Sequence, residues 1–187
     1  MPECLAGPVA EPLTPADLKD FLRITQDAED ALLGRLITTA RQMVESAAAR
    51  LLLTQTWRFR RDAWPPSGLL ILPLAPAARL IAARLRHFDE GETALPLSAF
   101  TLRADRTPAV IAIDRAVLPA PDRALGGIEL DVVMGYGSGA QDVPGDLVQA
   151  VRLLAAHFYE RREETALASA LPAGVADLLA PYRQVRL

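Results

Sequence analysis

Gly135-Tyr136-Gly137-Ser138-Gly139-Ala140 fits the pattern G-x-G-x-x-A. In a dinucleotide-binding fold such glycines join a strand to a helix, so that bare amides at the helix N-terminus meet a pyrophosphate. Ile128-Glu129-Leu130-Asp131-Val132 alternates like a strand just before the run, as that chemistry requires. The residues after the run do not fit. Helical spacing resumes only at Pro144, and no strand-like segment comes after Glu164 to complete a βαβ unit. The glycines are therefore read as a strand-to-helix connection. A nucleotide-binding enzyme built on Gly135 to Ala140 is the alternative. The run also fails G-x-S-x-G, because Tyr136 stands two places before Ser138.

His87 and His157 lie far apart, and no sequence context gives either one a nucleophile and an acid. His157 falls at the edge of an apolar helical face, where a partly buried, hydrogen-bonding side chain is expected. The carboxylates near the histidines lack metal-ligand spacing. Cys4 is the sole cysteine, so neither an intrachain disulfide nor a CxxC pair is possible. No catalytic residue, cofactor or metal is assigned, and the chain is read as a non-enzyme.

Charge and aromatic residues suggest contacts instead. Glu160-Arg161-Arg162-Glu163-Glu164 closes a helix and suits i,i+3 and i,i+4 pairing. Arg162 falls on the apolar side of the wheel, which makes Arg161, Arg162 and Glu163 a candidate subunit interface. Arg58, Arg60, Arg84 and Arg86 occupy alternating strand positions and read as a solvated sheet face, or as side chains beside a DNA passage. Trp57 reads as core. Trp64, beside Pro65-Pro66, reads as core or as a contact residue at a loop tip.

Hydrophobic residues make up 51% of the 187, enough for a sizeable core. The net charge of −3 argues against gripping nucleic acid through bulk positive charge. The first residues lack the basic and apolar regions of a signal peptide. The richest apolar stretch, Leu69 to Leu85, is broken by Pro73, Pro76, Arg79 and Arg84, short of the ~20 apolar residues of a membrane span. A soluble cytoplasmic product without a membrane segment is expected.

The elements that place these residues are set by period and capping. Residues 1–13, with Pro2, Pro8 and Pro12, form an extended N-terminal arm. Residues 14–53 form N-terminal helices. Thr14-Pro15-Ala16-Asp17 starts the first, and a second places Leu33, Leu36, Ile37, Ala40, Val44 and Ala47 on one face. Residues 54–136 read as a β-rich insertion of about six short strands, punctuated by Pro and Gly. Residues 137–187 hold C-terminal helices and a tail. The first of these helices uses Leu147, Val151, Leu154 and Phe158 as its core face. Strands run together rather than alternating with helices. The fold class is therefore α+β, one domain overall, with a helical core (an N-terminal helical hairpin plus a long C-terminal helix) and an inserted antiparallel β domain.

Several segments, in order and spacing, resemble one family. They are Glu11-Pro12-Leu13-Thr14 leading into Leu18 to Arg23; Asp27 to Asp30 with Leu32-Leu33; Ile37 to Val44; Leu53-Thr54-Gln55-Thr56-Trp57; Gly135-Tyr136; Val143-Pro144; Ala156 to Glu163; and Leu178 to Arg183. Together they resemble the head–tail connector (adaptor) proteins of long-tailed phages, prophages and gene transfer agents. The resemblance implies a structural protein of the virion or phage-like particle neck, made in the bacterial cytoplasm and acting in the DNA-packaging machinery. It implies a homo-oligomeric ring, commonly of twelve subunits, that binds the portal protein. Such a ring extends the channel through which double-stranded DNA passes without specific binding, and it meets a stopper or tail-terminator neck protein. It also implies a portal-docking tail of Pro181, Tyr182, Arg183, Gln184, Val185, Arg186 and Leu187.

Overall fold

A computed structural model of the chain describes residues 2–161 and 171–182. Two compact units interleave along the sequence. A β unit takes Met1–Pro8 and Thr54–Tyr136, and a helical unit takes Val9–Leu53 and Gly137–Leu187. The α+β class holds.

The strands are β1 (Glu3–Ala6), β2 (Gln55–Arg61), β3 (Leu69–Ile71), β4 (Ala77–Arg86), β5 (Glu92–Ala94), β6 (Phe100–Arg103), β7 (Val110–Ile113) and β8 (Ile128–Met134). They form a five-stranded sheet in the order β1-β2-β8-β4-β5 and a three-stranded sheet in the order β3-β7-β6, antiparallel throughout. Two of these strands add to the expected set. β1 comes from the N-terminal arm, and β5 comes after the turn at Asp89 to Gly91. Both are exposed along their whole length. They bury no side chain, so they carry no alternation for a sequence reading to detect.

β8 is the centre of the larger sheet. Ile128, Leu130, Val132 and Met134 are fully buried on one face. Phe59 and Ala83 flank Leu130 on the neighbouring strands, and Leu85 flanks Ile128. Each large side chain sequestered there contributes about 1.5–3 kcal/mol. The opposite face carries Glu129 and Asp131, each only 5% exposed. Arg58 donates to both oxygens of Asp131, at 2.7 and 2.9 Å. Arg84 reaches Asp131 at 2.7 Å and Glu129 at 3.4 Å. Arg60 links Glu129 (3.0 Å) to Glu3 of β1 (2.7 Å). Three of the four arginines read as a solvated face, Arg58, Arg60 and Arg84, are thus the counter-charges of buried carboxylates, whereas Arg86 pairs with the exposed Glu92 at 3.3 Å. The alternation Ile128-Glu129-Leu130-Asp131 that buries the apolar row puts both acids beneath them. Burial alone would raise the Asp131 carboxyl, but the Arg58 hydrogen bonds and the charges of Arg84 and Arg58 outweigh it and hold the group below the usual carboxylate range.

In the helical unit, α1 (Pro15–Leu22) opens on a reciprocal cap. The Thr14 hydroxyl accepts from the Asp17 amide at 3.1 Å, and the Asp17 carboxylate accepts from the Thr14 amide at 2.8 Å. The Thr14 side-chain hydrogen bond holds the Asp17 carboxyl below its ordinary value. α2 (Asp30–Ala48) buries Leu33, Ile37, Ala40, Val44 and Ala48. It packs against α1 and α3 (Gly145–Glu160), and α3 also packs against α4 (Ala173–Leu179). The expected face members Leu36 and Ala47 are only half-buried. Arg41 and Glu45 are buried in the same helix and pair with each other at 2.7 Å. Arg41 also reaches Glu11 at 2.7 Å, and Glu45 accepts from the Leu52 amide at 2.8 Å. That second bond fixes the turn by which the chain leaves α2.

Asp131→Asn should destabilise the chain at pH 7 by about 2–3 kcal/mol, because two half-buried guanidiniums lose their counter-charge. The depressed folded pKa of Asp131 means its contribution is complete above the unfolded value of about 3.9 and disappears as pH falls through the lower folded value. Denaturant unfolding across pH 2–7 should therefore show a shallower acid limb in Asp131→Asn than in wild type. Separately, Leu154→Asp puts an uncompensated charge in the helical core and should abolish soluble expression.

Candidate functional site

The candidate docking element runs from α3 to the tail. Pro144 precedes α3, and Asp146 lies in its first turn, where a carboxylate complements the helix dipole. Leu147, Val151 and Leu154 are buried at 1% exposure or less, as are Ala150 and Ala155, and Ala156 is buried at 5%. Phe158, expected alongside them, is only half-buried. It sits in the last turn, beyond the alanine-rich stretch, with its ring tilted against His157 at 6.2 Å. His157 is half-buried, as its place at the edge of the face suggested. The Tyr159 hydroxyl bonds to Glu29, the N-cap residue of α2.

α4 runs directly into the turn Ala180–Tyr182. Pro181 is exposed there and Tyr182 is half-buried. The Tyr182 hydroxyl lies 2.8 Å from each carboxylate oxygen of Asp146. The Arg50 guanidinium stands over the Tyr182 ring, 6.0 Å from its centroid. The root of the tail is therefore fixed to the start of α3. Sequence reasoning missed both Asp146 and Arg50, since neither stands near Tyr182 in sequence. Arg183, Gln184, Val185, Arg186 and Leu187 lie outside the described residues, as do Arg162 and Glu163. Arg161, the remaining candidate interface residue, is exposed just past α3.

The glycine run is organised around Asp142. Its carboxylate accepts from the Gly139 amide at 3.0 Å. A Cβ on Gly137 would fall on that same carboxylate. Gly137 also bridges to Leu53, and a short turn, Ala140–Asp142, separates the run from α3. A negative carboxylate thus occupies the place where a pyrophosphate would need free amides. The residue that decides against the nucleotide reading belongs to the short segment that keeps the glycines apart from the helix.

His87 does have polar partners that the sequence did not suggest. Its Nδ1 lies 3.0 Å from Asp122 and its Nε2 lies 2.7 Å from the Thr93 hydroxyl. An Asp that orients a catalytic histidine is buried, whereas the Asp122 side chain is 54% exposed. Here the contacts tie the β4–β5 hairpin to the loop before β8. Trp64 is buried rather than presented. Its Nε1 donates to the Pro119 carbonyl at 2.8 Å, and its ring centroid lies 6.0 Å from that of Phe100. Trp57, read as core, is half-buried, with Nε1 donating to Gln55 at 3.2 Å. Among the described residues no group of three His, Cys, Asp or Glu side chains could hold a metal ion, and no helix is long and apolar enough to cross a membrane.

The described residues thus form an α+β protein of two interleaved units, with the turn Ala180–Tyr182 held to the start of α3. No protein-family model and no curated protein matches the chain. Solved structures do. Over its whole length the chain is similar to a protein in the neck of an empty gene transfer agent (GTA) particle computed with C6 symmetry, at 31% identity and a TM-score of 0.86, covering 97% of that chain. It is similar to one in the virion of a native GTA particle, at 32% identity and a TM-score of 0.84 with the same coverage. A third match is to the neck of a native GTA particle computed with C12 symmetry, at 31% identity, a TM-score of 0.82 and 97% coverage. The chain belongs to the family of gene transfer agent neck proteins.

Gly137→Ala should lower stability by about 1–3 kcal/mol, the usual cost of forcing atoms into occupied space. Thermal melts would measure the loss. Titration of the wild-type chain with nucleotides and dinucleotides should give no saturable binding.

Proposed function

We propose that the chain is a head–tail connector, or adaptor, of a phage-like particle, and that it acts without catalysis. Copies form a ring under the portal, extend the DNA channel, and join the head to the tail through the next neck protein. The observation that carries this reading is the full-length similarity to a chain in a GTA neck computed with C12 symmetry, at 31% identity. Twelvefold symmetry in that neck fits a ring of twelve copies here. Double-stranded DNA passes without sequence-specific contact, which suits a chain of net charge −3. Synthesis in the bacterial cytoplasm precedes assembly.

Pro181 to Leu187 are the portal-docking segment in this reading. Tyr182 has a second duty, because its hydrogen bond to Asp146 belongs to the folded subunit. Tyr and Arg are residue types favoured at interface hot spots. Arg161, Arg162 and Glu163, which follow Glu160 in the sequence, supply a contact between neighbouring subunits in this reading.

A chain ending at Tyr182 should melt at the wild-type temperature and yet be missing from purified particles. Normal incorporation of that truncation, seen by imaging the particle neck, would remove the docking assignment. A chain ending at Ala180 should also lose stability, by about 1 kcal/mol, because the Tyr182 hydrogen bond goes with it.

A further inference from the structure

Arg50 is a buried cation that forms no ion pair among the described residues. It is 9% exposed, and its Nε is buried with no hydrogen-bond partner. Its guanidinium has the face of Tyr182 at 6.0 Å. The contrast with Arg41 is direct. Arg41 is buried to a similar degree, nine residues earlier, and its guanidinium is held by Glu11 and Glu45, each at 2.7 Å. Burying a guanidinium costs several kcal/mol unless a carboxylate and hydrogen bonds compensate. An aromatic face offsets about 0.5–2 kcal/mol of that. The C-terminal end of α2, just before Arg50, offsets a further part through its dipole.

We propose that Arg50 is an anion-binding residue that receives a carboxylate side chain from a second copy of this chain in the neck ring. The inference rests on the ring reading. The charge balance supports the choice of occupant. The sequence holds 23 acidic residues against 20 lysines and arginines, so carboxylates are in surplus. Asp20, Glu160 and Asp177 are exposed helical-unit acids, and none is in an ion pair among the described residues. A fork of N–H donors suits a planar carboxylate and accepts it bidentately. In a cyclic ring each copy uses one surface to give and another to receive, so a cation without an ion pair among the described residues at one place and spare carboxylates at others are complementary. The Tyr182 ring, 6.0 Å from the guanidinium, puts the site beside the root of the tail.

The test compares isolated chain with assembled particles. Isolated Arg50→Met should melt at or above the wild-type temperature, since an unpaired buried charge has been removed. In particles its incorporation should fall by roughly thirtyfold or more, the loss expected for truncating one partner of a buried charge pair. Arg50→Glu should fail in the same way and be rescued by changing one of Asp20, Glu160 or Asp177 to Arg in the same chain. Wild-type incorporation of Arg50→Met would overturn the proposal, leaving water as the partner of the guanidinium. A melting temperature that falls in step with incorporation would overturn it too, by making Arg50 a structural residue. Rescue of Arg50→Glu only by a change in another neck protein would exclude the second copy as donor. Absence of the wild-type chain from the neck would instead defeat the connector reading, while the melting result for Arg50→Met would still stand.

Discussion

Burial of two carboxylates on the middle strand is the constraint on which the β unit depends. Glu129 and Asp131 cannot enter a low-dielectric sheet face without counter-charges, and those come from strands on either side. Arg58 and Arg60 stand on β2, and Arg84 stands on β4. The requirement therefore specifies neighbours as well as energy. A slip of one residue in either flanking strand would turn its arginines to the opposite face, among Phe59, Leu85 and Leu130. Through Arg60 the same network reaches Glu3 and helps hold a first strand that contributes nothing to the core.

The helical unit solves its polar problem at helix ends. Thr14 and Asp17 close the start of α1. Glu45 satisfies the Leu52 amide after α2, and Tyr159 ties the end of α3 to Glu29. Tyr182 with Asp146 does for the last described turn what these caps do for the helices. Two of these four, Tyr159 with Glu29 and Tyr182 with Asp146, join a helix end to a side chain distant in the sequence and so fix that end in place. A surface that must meet other chains in register gains from that rigidity.

How much could be read in advance depends on the reach of local physics. The α2 face, the alternation of β2 and β8, the cap at Thr14 and the apolar row Leu147, Val151 and Leu154 were all legible, because period and capping act within a few residues. β1 and β5 were not, because edge strands without burial have no period. The pairing of Arg58 and Arg84 with Asp131 was half visible, since the alternation was seen on each strand but the register between strands is not written locally. The same holds for Tyr182 with Asp146 and for His87 with Asp122, which are contacts of separated segments. Of the two readings of Trp64, core and loop-tip contact, the buried one holds, and its partners Phe100 and Pro119 lie far away in the sequence. Phe158 kept its helical face and lost depth, because the helix ends two residues later.

The chain passes between its two units at Pro8, at Leu53 and again at Tyr136. Neither unit is a continuous stretch of sequence. During synthesis β1 has no sheet to join until β2 and β8 exist, and α1 and α2 wait for α3. Most of the long-range pairing is thus postponed until the final third of the polypeptide is available, which favours late, concerted folding over domain-by-domain growth. The same interleaving means that cutting the gene at one point cannot release either half intact. Exchange of a whole unit between two such proteins therefore requires a breakpoint at each of the three crossings.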